Sequence, residues 1–276
     1  MARQRLSKAS SLQVALFVEG SDPPDNLTRS SLRQIWNEHL AGALGLSSFS
    51  GVYPISKKHL LAMDPDTPPM SGAGEALDQY MTRMHRRAPF DAAVIAWDLI
   101  PEWNREAGVC RWQETLDLYR LLASSKDLDA PWRERARGRW RELTGRPTPS
   151  ARRRPPVLGR HEILALCMDP VFESLLCVDE AGVRRALGLA GKNVREWPSG
   201  WKKVDVRRPD DALLQPAVDA ARGERTSATR AVRGAWDTSK NEWGEFLLRS
   251  LLADPQCAPK LIEHPICRRL AEIGPR

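Results

Sequence analysis

Two carboxylates stand out because of what precedes them. Glu19 closes the apolar run "VALFV", and Asp98 closes "AAVIAW". A buried strand that ends on an acid delivers it to the rim of a sheet, and in parallel sheets ligands bind at the rim formed by the strands' carboxyl ends. If the two strands are neighbours, their carboxylates converge. Like charges gathered in a poorly solvated crevice raise one another's pKa and call for a compensating cation. Mg²⁺, or Mn²⁺ in its place, suits such a crevice, because it is a hard ion that takes few carboxylates and completes its shell with water and phosphate oxygens. A cation so placed polarises a phosphodiester and activates water. Either acid alone would as readily cap a helix, begin a turn before Pro101 or pair with an arginine, so the chemistry rests on the two occurring together.

The elements that must hold these acids follow from the hydrophobic periods. Leu12 to Val18 reads as a buried strand, and a helix begins at Asn26 or Thr28 with Leu32, Ile35, Trp36, Leu40 and Leu44 inward. Gly51 to Ile55 fits a short second strand, Glu75 to Arg87 a helix, and Phe90 to Asp98 a third strand of the same design as the first. Arg111 to Ser124 carries Trp112, Leu116, Tyr119 and Leu122 at helical spacing, and a second helix runs from about Pro131 to Leu143. After the proline-broken "TGRPTPSARRRPP" come a strand to Met168, a helix from Pro170, and another helix capped by Asp179 and closed by Gly188. The last third is helical, with Trp236, Trp243, Phe246, Leu247 and Leu251 at core spacing. Buried strands alternating with helices imply an α/β fold with a doubly wound, mainly parallel sheet and a helical C-terminal region. The expected organisation is an α/β core over 1–130, an arginine-rich helix and linker or insertion over 131–160, and the rest of the core with the C-terminal helices over 161–276.

Composition narrows the function classes. The 276 residues, 42% of them hydrophobic, suffice for a packed core, while no apolar run approaches the roughly 20 residues of a membrane span. A soluble, cytoplasmic protein without a membrane partner is expected. The five cysteines are never spaced C-x-x-C, which favours reduced core thiols over disulfides or zinc. The histidines are scattered, no nucleophilic triad stands out, and there is no phosphate-binding loop for ATP hydrolysis. The net charge is +7, yet the stretch Arg133 to Arg160 holds ten arginines against two glutamates, a local +8, so the rest of the chain is close to neutral. Such a segment, with Arg137, Arg141, Arg152, Arg153 and Arg154, is the expected footprint of a nucleic-acid contact, or else a solvated helix and insertion. Trp132 and Trp140 inside it could stack on unpaired bases, but packing of the helix explains them better.

The pieces "LFVEGSD", a following helix, and "AAVIAWD" resemble the Toprim fold of topoisomerases, primases and overcoming-lysogenization-defect nucleases. A closer resemblance is to an uncharacterised Toprim-like family of prokaryotic proteins often associated with phage defence. It rests on the "VEG" strand, the helix "TRSSLRQIW", the Glu173 and Asp179 pair in "FESLLCVD", and the late segments "TSKNEWGEFLL" and "HPICRRLAEI". The resemblance spans Leu12 to Ile273, and only the glutamate-glycine and Glu173-to-Asp179 pieces are specific. It implies that Glu19 is a general base or metal-linked acid, that Gly20 lets the backbone turn closely beneath it, and that Asp98 is the first metal-binding aspartate. Toprim enzymes usually place a second acid two residues later, where this chain has Ile100, so Glu102 is the candidate to replace it. Asp22, Glu173 and Asp179 stand as supporting acids, and Lys240 joins the arginines as a nucleic-acid contact. Asp179 is equally a good cap for "EAGVRRAL", and Glu173 a partner for Arg184 or Arg185. The activity implied is Mg²⁺-dependent cleavage of DNA or RNA by a defence effector working with a separately encoded ATPase, with homo-oligomers compatible. The alternative is a subunit whose site has decayed and which binds or assembles only.

Overall fold

The computed structural model describes residues 12–20, 31–64, 74–101, 103, 110–152, 157–201, 206–224 and 240–276, the last without the side chains of 240–242. Four strands form one sheet in the order β2-β1-β3-β4, all parallel: β1 Val14–Glu19, β2 Gly51–Ile55, β3 Ala92–Asp98 and β4 Ile163–Met168. Every residue of β4 is buried, as are all of β1 and β3 except their terminal acids. Continuous apolar runs are what a parallel sheet covered on both faces requires.

Side chains alternate across the sheet and build two separate cores. Leu16, Val18, Val94, Ala96, Leu164 and Leu166 face one layer of helices. That layer includes α1 (Ser31–Arg33), which runs on as the π-wound segment Gln34–Ala41, and the C-terminal helices, including Lys240–Ala253 and Pro265–Ile273. Phe17, Ile95, Trp97, Ile163 and Ala165 face the other layer. That layer contains α2 (Lys57–Leu61), α3 (Leu77–Arg87), α4 (Arg111–Ser124) and α5 (Ala130–Thr144). Fully burying a leucine or phenylalanine contributes about 1.5–3 kcal/mol, so these residues at the heart of the sheet suffice to fix its register.

The expected α/β architecture, with a parallel sheet and a helical C-terminal region, is the one observed. Details differ for physical reasons. The segment after β4 is a 3-10 helix, Phe172–Cys177, entered through a cis Asp169–Pro170 peptide, and α6 (Pro149–Arg152) interrupts the stretch expected to be irregular. Asp179 accepts from the backbone N–H groups of Ala181 and Gly182 and so caps α7, Glu180–Ala186. Gly188, at φ 71°, closes that helix in the left-handed conformation that glycine adopts without penalty. The cysteines are free, with Cys167, Cys257 and Cys267 buried. No helix among the described residues is long and apolar enough to cross a membrane.

Candidate active site

The order β2-β1-β3-β4 sends the chain to one side after β1 and to the other after β3, so the crevice between these two central strands is the switch point of the sheet. Glu19 and Asp98 stand on its two lips. The register pairs Val18 with Ala96, so Asp98 extends one residue beyond the level of Glu19, and its backbone N–H donates to Glu19 Oε2 at 2.9 Å. The two acids expected from the sequence are therefore brought together. Beyond β1 the Gly20 N–H donates to Ile55 O at 3.0 Å, and a Cβ on Gly20 would lie 3.0 Å from Leu32 Cδ2. A side chain there would crowd α1 at the foot of the site.

Asp98 is the electrostatic focus. Its carboxylate Oδ1 accepts from the Phe172 N–H at 2.7 Å, the first residue of the 3-10 helix. Burial pushes its pKa well above the ordinary carboxylate value, and the charges of Glu173 and Glu19 push it further. The Phe172 N–H and the Lys57 ammonium pull the other way without reversing the shift. Glu173 thus joins the two strand-end acids through its field. The same residue, after burial and ahead of Asp210, holds the Cys177 thiol up at about 12. Of the arginines expected near Glu173, Arg184 pairs with Glu180 at 3.3 Å and Arg185 with Asp254 at 2.7 Å.

Two residues that the sequence did not single out complete the rim. Lys57, the first residue of α2, donates its ammonium to the Asp98 carbonyl. The same ammonium lies 3.9 Å from Glu114 Oε2, a carboxylate of α4 with no exposed surface. Glu114 accepts from Trp97 Nε1 at 2.8 Å and from the Trp103 N–H at 3.1 Å. Glu114 was legible in one respect: it falls in line with Leu118 and Leu121 at helical spacing, and these are buried where the expected stripe residues Trp112 and Leu116 are only partly so. Lys57 carried no such signal.

The other expected residues are placed as follows. Asp179 is bound at the start of α7, with Lys260 Nζ 2.6 Å from its Oδ2. Ile100 packs its side chain against the apolar cluster that holds Trp97 and Trp103, and its N–H donates to Pro170 O at 3.1 Å. Asp22, Glu102, Arg153 and Arg154 lie outside the described residues, as does the side chain of Lys240. Most of the arginines of α5 and its continuation serve the fold. Arg133 and Arg137 donate to main-chain carbonyls at and just beyond the end of α4, while Arg139 and Arg146 converge on Glu142. Arg152 lies 4.6 Å from the Trp112 ring centre. Trp132 is buried in the core and Trp140 packs beside it, as packing requires. Arg141 is exposed and makes no ion pair among the described residues.

Among the described residues, no group of three or more histidine, cysteine, aspartate or glutamate side chains is arranged to hold a metal ion unaided. Glu19 and Asp98 nevertheless fit a cation of the Mg²⁺ type, which takes one or two carboxylates and draws its remaining ligands from water and phosphate. Their donor set is oxygen alone, and the like-charge pressure on Asp98 is what a bound cation relieves. No family model, curated protein or solved structure matches the chain, so the α/β fold and the geometry of this rim are the ground for any reading of its function.

Proposed function

We propose that the chain is a metal-dependent phosphodiesterase acting on DNA or RNA, with Glu19 and Asp98 as its metal-binding acids. One observation carries this reading. At the switch point of a parallel sheet, Asp98 is held against Glu19 and within the field of Glu173, so its carboxyl is strained as an anion until a cation arrives. Mg²⁺ or Mn²⁺ bound there supplies Lewis-acid polarisation of a phosphodiester. Glu19 keeps one carboxylate oxygen on the Asp98 N–H, and that bond fixes where its carboxylate would act as metal ligand or general base. Phe172 N–H holds Asp98 Oδ1 and so fixes the direction of its remaining oxygen. The resemblance to Toprim-like proteins supports the same chemistry, and with it a role as a defence effector beside a separate ATPase.

A second reading is favoured by one feature. The position where a Toprim enzyme has its second acid is Ile100, which packs into the core, and a rim with fewer acids suits a subunit that binds without cutting. Mn²⁺ titration followed by electron paramagnetic resonance, together with cleavage of plasmid, single-stranded DNA and tRNA in Mg²⁺ or Mn²⁺, separates the two. The enzyme reading expects micromolar-to-millimolar Mn²⁺ binding and cleavage, both lost in Glu19→Ala. Binding of nucleic acid without any cleavage supports the second reading, and absence of Glu19-dependent metal binding overturns the first.

A further inference from the structure

We infer that Lys57 and Glu114 form a positioning pair for Asp98: Lys57 holds the Asp98 carbonyl, Glu114 anchors Lys57, and the metal affinity of the rim depends on both although neither touches metal or substrate. The inference rests on the metal-binding reading of Glu19 and Asp98.

The topology makes the contact unusual. β2 and β3 are not neighbours, because β1 lies between them. Lys57, two residues past the end of β2, must therefore reach across the carboxyl end of β1 to donate to Asp98 O. The ammonium is thereby held at the Asp98 carbonyl, on the carboxyl edge of the sheet. Its side chain is only 13% exposed, and a lysine gives up much rotamer freedom to be held this way.

Glu114 explains how it is held. Two of its donors flank Asp98 in sequence, with Trp97 immediately before and Trp103 at the far end of the segment that follows, and Cys167 Sγ of β4 lies 4.0 Å from its Oε2. One carboxylate therefore ties both ends of the chain segment that carries Asp98, and through Lys57 it also braces that residue's carbonyl. A buried ion pair is a poor source of stability, since apolar residues of equal volume serve a fold as well or better. What a buried pair with these particular hydrogen bonds supplies is position, and outer partners of metal-binding residues commonly act in this way.

The test is the double variant Lys57→Met/Glu114→Gln in the full chain. It leaves the net charge unchanged, and because Lys57 is the charge nearer Asp98 its loss would by charge alone favour a bound cation, so a loss of affinity reports position. The Mn²⁺ dissociation constant, read by electron paramagnetic resonance well below the melting temperature, should rise about 10–100-fold, while the melting temperature holds or increases. Unchanged Mn²⁺ affinity in a folded double variant overturns the inference and leaves the metal site standing. A wild-type protein with no Glu19-dependent Mn²⁺ binding overturns the metal site, and the inference falls with it. Should the double variant melt early, Lys57→Met alone carries the test, because loss of an ammonium beside the rim would by charge alone strengthen cation binding. Weaker Mn²⁺ binding then supports positioning, and unchanged binding rejects it.

Discussion

The backbone N–H of Asp98 points at the carboxylate of Glu19 across 2.9 Å, so the two acids at the ends of neighbouring strands are joined by a hydrogen bond that the sheet register sets up. The Glu19 side chain thereby measures where β3 ends. Any shift of β3 against β1 breaks this bond and moves Asp98 relative to Glu173 at the same time, which makes the rim sensitive to the packing of both sheet faces.

Asp98→Asn should stabilise the metal-free protein. Because the native carboxyl is held well above its ordinary value by burial, Glu173 and Glu19, the native state binds its proton more tightly than the unfolded chain does. The stability tied to that proton is present at acid pH and is lost as pH rises from the ordinary carboxylate range through the raised native value. Asparagine still accepts from the Phe172 N–H and cannot ionise. Calorimetry at neutral pH with a chelator should show a higher melting temperature for the variant, by roughly 2–4 °C for each kcal/mol relieved. The difference should shrink toward acid pH, and a variant that melts lower at neutral pH would contradict the account.

Asp179→Ala should cost stability and leave Mn²⁺ affinity unchanged. The carboxylate caps α7 through Ala181 and Gly182 and pairs with Lys260. Burial pulls this carboxyl up, but the Lys260 hydrogen bond and the Gly182 N–H outweigh it and hold it below its ordinary value. Its contribution is therefore present above the ordinary carboxylate range and lost as pH falls through the depressed native value. Loss of such a cap is worth about 1 kcal/mol, readable by urea unfolding. A fall in Mn²⁺ affinity instead would place Asp179 among the working acids.

Ile100→Asp should weaken the protein without improving metal binding. The isoleucine packs, partly buried, against the cluster that includes Trp97 and Trp103, and an acid in its place loses hydration without gaining a partner, at a cost of about 1–3 kcal/mol. Thermal unfolding should drop by several degrees. Tighter Mn²⁺ binding in the variant would show that the side chain turns toward the rim after all.

Arg141→Ala and Arg152→Ala should separate two uses of the basic segment. Arg141 is exposed, so its loss should leave the melting temperature unchanged and reduce the salt slope of nucleic-acid binding by roughly one contact. Arg152 stacks on Trp112 and donates to the carbonyls of Arg146 and Pro147, so its loss should lower stability first. An unchanged salt slope for Arg141→Ala would assign the segment to the fold or to a protein partner.

The strands were legible in the sequence because a parallel sheet covered on both faces demands uninterrupted apolar runs, and few other structures produce "VALFV" and "AAVIAW" ahead of an acid. The pairing of Glu19 with Asp98 was legible for the same reason, since strand ends at a common rim follow from the fold class. Lys57 was not, and Glu114 only as a place on the buried stripe of its helix, because a charged residue on a helix reads as solvent-facing unless its partner across the sheet is known, and that partner is fixed only by the strand order. A charge count likewise registers the number of arginines, but not the carbonyls and carboxylates, such as Ala123 O and Glu142, that engage some of them.

The bonds that make the rim join distant parts of the chain. Asp98 meets Glu19 across 79 residues and Phe172 across 74. A nascent chain holds both acids long before it holds Phe172, so the two carboxylates spend part of synthesis without the amide that fixes Asp98. Closing such long loops is what slows folding, and the site is accordingly a late product of folding. A chain terminated before Phe172 would therefore carry both acids without the amide that fixes Asp98.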